Sequence, residues 1–209
     1  MNNSTLKIIR PFGPPLGITP MPTDLIAKIN HFIDEKIDKN SSDYDHGKHL
    51  AGQVSQEIKL PKEIIDDGLL TFLSALTSAY IENSIGKKIT KFELIASWVV
   101  RQFKNEYNPP HIHGGHISGV GYLKIPDSFG SSFQESKKSN THGDINFFHG
   151  SKQFLSMGTK SKKPILGDFY IFPNYMTHSV NAFFSEGERR SLSFNANIDE
   201  NIYDVYSDH

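Results

Sequence analysis

The residues best equipped for chemistry in this chain are His111, His113, His178 and Arg189. His111-Ile112-His113 sets two imidazoles at positions i and i+2. On an extended segment such side chains point to the same side. His178 lies sixty-five residues beyond His113 and can close a face of metal ligands from a distant strand. Three imidazoles on one face leave the opposite positions open to a substrate, a co-substrate or O2. The pattern predicts a mononuclear iron site in a small β-barrel, with His111, His113 and His178 as ligands. A lone histidine is more often a hydrogen-bonded structural side chain, and HxH by itself is a weak signal. Its setting strengthens it. His111 follows NEYNPP, read as a turn that ends one strand, and His178 follows GDFYIFP, a strand that stops at Pro173. The ligands then sit at the rim of a sheet, where barrel sites are built. His116, His142 and His149 are spare and read as surface residues, with His116 near enough to exchange roles with His113.

The elements that must hold these residues are strands. From Ile89 onward ITKFELIASWVVRQF, GVGYLKI, DINFFH, DFYIF, SVNAFF and RRSLSFNANI are rich in β-branched and aromatic residues, with polar or glycine breaks between them. Trp98 reads as core. Before them, residues 1–22 hold five prolines and read as extended and irregular. Thr23 can cap a helix over DLIAKINHFIDEKID, and Pro61 can start a second over KEIIDDGLLTFLSALTSAYIENSI, ended by Gly86. Residues 38–60 read as a polar loop. Helices first and strands afterwards predict an α+β domain spanning residues 1–209: an N-terminal extended segment and buttressing helices over 1–88, and a β core over 89–209.

Residues 126–163 form the longest irregular stretch, with one short strand inside. Seven lysines from Lys124 to Lys163 stand there against Asp127, Glu135 and Asp144. The plain reading is a solvated surface loop. The functional one is a lid over the barrel mouth that favours an acidic substrate.

Composition narrows the classes. At 209 residues the chain fits one domain with a full core, and its net charge of −1 points to neither nucleic acid nor a membrane surface. With no cysteine there are no disulfides, zinc–thiolate sites, iron–sulfur clusters or cysteine nucleophiles. The N-terminus shows no secretory segment, and no run reads as a membrane span, so a soluble cytoplasmic protein is expected. There is no Gly-x-Ser-x-Gly elbow, and the glycines of GGHISGVG precede a strand rather than a helix, which removes the common hydrolase and phosphate-loop readings.

The stretches NPPHIHGGHISGVGYLKIP, GDFYIFPNYMTHSV and ERRSLSFN, with a fainter echo in SWVVRQF, resemble the iron(II)- and 2-oxoglutarate-dependent dioxygenases, most nearly the small oxygenases of phages and bacteria. The resemblance covers about residues 96–198 and implies a double-stranded β-helix (jelly-roll) core. It also implies Fe(II) and 2-oxoglutarate, with O2 consumed, succinate and CO2 released and a C–H bond of an unknown primary substrate hydroxylated. His111 matches the family's first ligand, His178 its distal ligand, Arg189 the clamp on the far carboxylate of 2-oxoglutarate, and Ser191 the clamp's neighbour. Tyr122 is a candidate second contact to that carboxylate. The chain departs from the family at His113, where most members have a carboxylate. Three neutral imidazoles leave Fe(II) its full +2 charge and make the site more electron-poor.

The clamp also has a physical basis in the strand. Arg189, Ser191, Ser193 and Asn195 share one side of the last strand; Arg190, Leu192 and Phe194 share the other. A buried arginine on a barrel lining is costly unless an anion pairs with it, and a dicarboxylate supplies that anion in bidentate geometry. The plainer alternative is that Arg189 and Arg190 join Glu186 and Glu188 in a solvated charge cluster. Two rival functions remain. A three-histidine cupin-type metal dioxygenase shares HxH and a distal His, but the usual glutamate after HxH is replaced by Ile117 and Ser118. A barrel that has lost its chemistry and serves as a binding or structural protein would also fit the departure at His113.

Overall fold

The computed structural model describes residues 6–9, 11, 13–37 and 44–204. Its strands are β1 Lys7–Ile9, β2 Leu16–Pro20, β3 Gln56–Lys59, β4 Phe92–Gln102, β5 Asn108–His111, β6 Ile117–Lys124, β7 Ile145–Phe148, β8 Thr159–Lys162, β9 Asp168–Pro173, β10 Thr177–Val180 and β11 Arg189–Ile198. They form a major sheet in the order β1-β2-β9-β6-β11-β4-β3 and a minor sheet in the order β5-β10-β7-β8. All pairings are antiparallel. The fold is mostly β, two sheets of jelly-roll type.

Period-two alternation decides which face each residue of the major sheet serves. Val120, Tyr122, Tyr170 and Phe172 join Ile145, Phe147 and Val180 in one buried cluster between the sheets. The intervening residues Ile117, Leu123, Phe169, Ile171, Leu192 and Phe194 form a second cluster on the outer face. That cluster also contains Leu25, Ile29 and Ile33 of helix α1 (Thr23–Lys36) and Leu73, Leu76 and Tyr80 of a later helix. Gly119 and Gly121 let the outer layer close: a Cβ on Gly121 would meet Phe169 at 2.3 Å and the Met21 sulfur at 2.5 Å. Fully burying each such side chain contributes roughly 1.5–3 kcal/mol, so the two clusters drive the layering.

The helices differ from the sequence reading in identifiable ways. Thr23 is not a cap: it is the first helical residue, Pro22 takes the cap position, and no side-chain cap bond forms. The expected second helix breaks. After one turn, α2 (Lys62–Ile64), Asp67 leaves helical geometry and Gly68 turns to φ +97°, and α3 then runs Leu70–Ile85. Only glycine adopts that φ at no steric cost. Gly86 ends α3 in the left-handed region, as read. The stretch Lys62–Ile85 is, against the sequence reading, long and apolar enough by length and composition to cross a membrane. In the fold the kink interrupts it, and Leu69, Leu73, Tyr80 and Ile81 are buried in the outer cluster.

Three polar segments also hold unread order. Residues 38–60 were expected to be loop, but Gln56–Lys59 pairs with β4, and Gly47–His49 makes a 3-10 turn. The end of NEYNPP is not a turn: Asn108–His111 is a strand on the edge of the minor sheet, where its prolines cost no inner ladder bond. β8, inside 126–163, pairs with β7 through its backbone although its sequence is TKSK. Only the first part of SVNAFF is strand; Phe183 is a buried loop residue.

Candidate metal centre

β5 and β10 run antiparallel with His178 directly across from His111. His113 follows two residues after His111, past the exposed Ile112, and its backbone is fixed by an N–H bond to the Asn174 carbonyl at 3.1 Å. One ligand nitrogen from each of the three rings lies within 4.8 Å of the others, and no carboxylate joins this cluster among the described residues. The Nε2 atoms of His113 and His178 face each other at 3.2 Å.

Backbone carbonyls orient two of the rings. His111 Nδ1 lies 2.7 Å from the Pro109 carbonyl, and His178 Nδ1 lies 3.0 Å from that of Met176. A carbonyl can only accept, so each Nδ1 carries the proton and each Nε2 lone pair is left for the centre. His113 has no such carbonyl anchor among the described residues; its Nε2 faces the His178 Nε2 lone pair and carries the proton there when no metal is bound. Burial keeps all three rings neutral. It lowers the pKa of His178 to about 3, helped by the charges of His111 and His113. It lowers that of His113 to about 4, with His111 adding to it. Burial also lowers His111, against the opposing bond to Pro109. Neutral imidazoles are the protonation state a metal requires. Phe172 and Phe147 pack against His178, with ring centres 4.9 and 6.1 Å away, and keep that side dry.

These rings open on a cavity of about 260 Å³, whose wall includes Arg189, Ser191, Ser193 and Asn195 from one face of β11. Arg189 is 1% exposed. It donates from Nη1 to Gln102 at 3.0 Å, while its Nε and Nη2 are buried without a partner. The Tyr122 ring lies 4.9 Å from the Arg189 guanidinium carbon, and the Tyr122 hydroxyl is likewise buried without a partner. Burial raises the pKa of that hydroxyl, so it stays a donor. The solvated charge cluster does not form around Arg189. Its guanidinium instead lines the cavity that holds the three imidazoles, with Tyr122 packed behind it and outside the lining, and a metal chelated by a dicarboxylate fits that donor set.

Other residues fall differently from expectation. His116 is buried, not on the surface: its Nδ1 accepts the Ile198 N–H at 3.1 Å, and its ring stacks on Tyr203 at 3.9 Å. His142 is half-buried between Phe133 and Phe184, while His149 is exposed. Trp98 is buried as read but also lines the cavity, its ring 5.7 Å from that of His113. Of residues 126–163 only Ile145 lines the cavity. Lys163 is engaged with Asp144 at 2.7 Å. The sequence reading missed Glu57 and Asn108, which line the same cavity. Glu57 is 4% exposed, and burial, with the nearby Asp45 charge, raises its pKa to about 7. The alternation of QEIKL was the only signal that could have placed Glu57 on a strand.

Comparison with known proteins bears on the family and the fold. Residues 96–195 match a family described as "Putative 2OG-Fe(II) oxygenase". No curated protein matches the sequence. Among solved structures, a Pseudomonas putida prolyl-4-hydroxylase is similar with a TM-score of 0.54 at 16% identity, over 86% of this chain and 91% of that one. An oxidoreductase of the 2OG-Fe(II) oxygenase family from Burkholderia pseudomallei gives 0.55 at 12%, over 87% and 84%. HygX from Streptomyces hygroscopicus, with nickel and 2-oxoglutarate bound, gives 0.53 at 10%, over 87% and 82%. At these identities the likeness is one of fold.

Proposed function

We infer that this chain, a 2OG-Fe(II) oxygenase by family over residues 96–195, holds Fe(II) through His111, His113 and His178 and 2-oxoglutarate through Arg189. It uses O2 and hydroxylates a C–H bond of a primary substrate. The observation that carries the site assignment is Arg189, buried with Nε and Nη2 unpartnered in the cavity that holds the three imidazoles. A buried guanidinium with two idle donors is costly, and a carboxylate arriving in bidentate geometry removes that cost.

Each residue then has a stated task. His111 and His178 present fixed Nε2 lone pairs, because their Nδ1 protons are held by carbonyls. His113 supplies the third imidazole, in the slot where a carboxylate is usual for the resemblance described above. Arg189 binds the distal carboxylate, with Gln102 holding its Nη1 arm in place. Tyr122 donates its hydroxyl to the same carboxylate, and Ser191, on the same face of β11, lines the cavity. Once bound, Fe(II) and 2-oxoglutarate supply O2 activation coupled to loss of CO2 and formation of succinate. Phe147 and Phe172 exclude water from the His178 side, which strengthens the polar interactions within. The helices α1 and α3 stiffen the major sheet from its outer face.

Anaerobic titration with Fe(II) and then 2-oxoglutarate, followed by visible absorption, tests the reading. A charge-transfer band that needs both components supports the chelate. Iron bound with no such band would turn the reading towards a cupin-type dioxygenase, and no iron uptake towards a barrel without chemistry.

A further inference from the structure

The cavity wall carries a second buried ionisable group besides Arg189. Glu57 on β3 is 4% exposed and lines it, yet its carboxyl has no hydrogen bond or ion pair with a side chain among the described residues. Glu188, buried to a similar extent at 6%, shows what this fold does with a carboxylate it means to keep charged. Arg101 lies 2.6 Å from it, Arg190 2.7 Å and Lys124 3.2 Å. A buried carboxylate lacking a cation is unfavourable, and facing a cavity it becomes a receptor for one.

Asn108 stands beside it. Its Oδ1 is buried without a partner, and it too lines the cavity. The two oxygens converge over Gly52: a Cβ there would sit 2.5 Å from Asn108 Oδ1 and 2.7 Å from Glu57 Oε1. The segment carrying Gly52 is held in place, since Gln53 and Tyr107 exchange backbone hydrogen bonds of 2.9 and 3.3 Å. The pair of acceptors is therefore set before anything binds. Trp98 lines the same cavity, a flat apolar surface with its ring 5.7 Å from that of His113.

We propose that Glu57 and Asn108 are the recognition end of the primary-substrate site and bind an ammonium group, with the substrate's hydrocarbon part lying along Trp98 towards the three histidines. A carboxylate and an amide oxygen together match a donor that carries positive charge, and an indole face favours the same charge. The inference rests on the oxygenase reading for calling this group the substrate; the ammonium site itself stands on Glu57, Asn108 and Trp98.

Trp98 is the only tryptophan in the chain, so its fluorescence reports directly on this end. n-Butylammonium, n-butanol and butyrate are titrated in turn into the full chain at mildly alkaline pH, both metal-free and loaded anaerobically with Fe(II) and 2-oxoglutarate. The expected result is a saturable change with butylammonium, at an affinity about tenfold or more above that for butanol or butyrate. Glu57→Gln and Asn108→Ala should each weaken it about tenfold while the visible band of the Fe(II)–2-oxoglutarate chelate persists. The absence of a saturable response, tighter binding of butyrate, or equal affinity in Glu57→Gln of native circular dichroism would each overturn the proposal. If a variant does not fold, the ranking of the three probes on the unaltered protein decides alone. Butylammonium binding without any chelate band would keep the ammonium site and remove the oxygenase reading, so the two failures are separable.

Discussion

Arg189 and Arg190 are adjacent in sequence, both buried, and on opposite faces of β11. Arg190 meets Glu188 at 2.7 Å, Asp34 at 2.6 Å and the Asn30 side chain at 2.9 Å. Arg189 meets one neutral amide, that of Gln102, and keeps two donors idle. One arginine is satisfied by the fold, while the other keeps donors without a partner among the described residues. Strand alternation alone separates them, because a step of one residue moves a side chain from one face to the other.

The two arginines should therefore respond in opposite ways to the same substitution. In the metal-free protein Arg190→Met leaves Glu188 and Asp34 short of a buried partner and should cost about 3–5 kcal/mol. Arg189→Met removes an unmatched charge and should be neutral or stabilising by about 1–3 kcal/mol. Urea unfolding of the two variants checks this, and equal losses would sink the contrast. With iron present, Arg189→Met should weaken 2-oxoglutarate by more than about 100-fold, the lower limit for two charge-assisted hydrogen bonds, and leave iron binding intact.

The ligand assignment predicts different fates for two histidines. His178→Ala removes the most buried ring of the cluster and should abolish stoichiometric Fe(II) uptake; iron content equal to the unaltered protein would refute its role. His113→Asp should keep iron, because a carboxylate offers the same number of donors in that slot. It lowers the net charge of the site by one and makes the iron more electron-rich. The charge-transfer band with 2-oxoglutarate should then move to longer wavelength, and an unmoved band would mean that His113 does not touch the metal.

Much of the site was legible in the sequence, and the physical reason is periodicity. Arg189, Ser191, Ser193 and Asn195 all line the cavity because the last strand alternates without a break in that stretch. His111 and His178 were legible as candidates, but their direct pairing was not, since NPPH carries prolines that disguise an edge strand. Glu57 was hidden for a different reason. Its strand is four residues long, follows a polar stretch and is fixed by pairing with β4 rather than by its own propensity. The break at Gly68 was not read: the sequence pattern runs one helix through it, whereas the fold takes that glycine to φ +97° and splits the helix there. His116 was misread because nothing local announces that Tyr203, eighty-seven residues on, covers its ring.

Acid should expose the ion-pair network on the outer face. Burial alone would raise the Glu188 pKa, but hydrogen bonds from Arg190 and Arg101, and then their charges, hold it down to about 2. A carboxyl whose folded pKa lies below its unfolded value stabilises the fold above the unfolded pKa and loses that contribution as pH falls. The window runs from the unfolded value of 4.5 down to about 2, and the shift corresponds to about 3 kcal/mol. Urea midpoints of the unaltered protein and Glu188→Gln should differ most at neutral pH and converge as the window is crossed. Parallel curves would show that Glu188 does not carry the acid sensitivity. The neutral histidines also lose stability in acid, but they do so equally in both proteins and drop out of the difference.

Glu57 should show the opposite sign. Burial, aided by the charge of Asp45, raises its folded pKa to about 7 from 4.5. A carboxyl shifted upward leaves stability whole below the unfolded pKa and removes it as pH rises through the folded one. Above about pH 7 the unaltered protein bears the full cost, about 3 kcal/mol from the size of the shift, and Glu57→Gln keeps the shape without the charge. The variant should thus be the more stable of the two at about pH 8 and no more stable below about pH 4.5, as read by urea unfolding. Equal stabilities at both pH values would mean that the carboxyl is solvated and not held for a cation. Saturating n-butylammonium at alkaline pH should narrow the gap, because an ammonium group seated on Glu57 lifts the cost that the buried charge imposes. A residue retained at a cost to the empty fold, and relieved by one charge type of ligand, belongs to recognition rather than to the core.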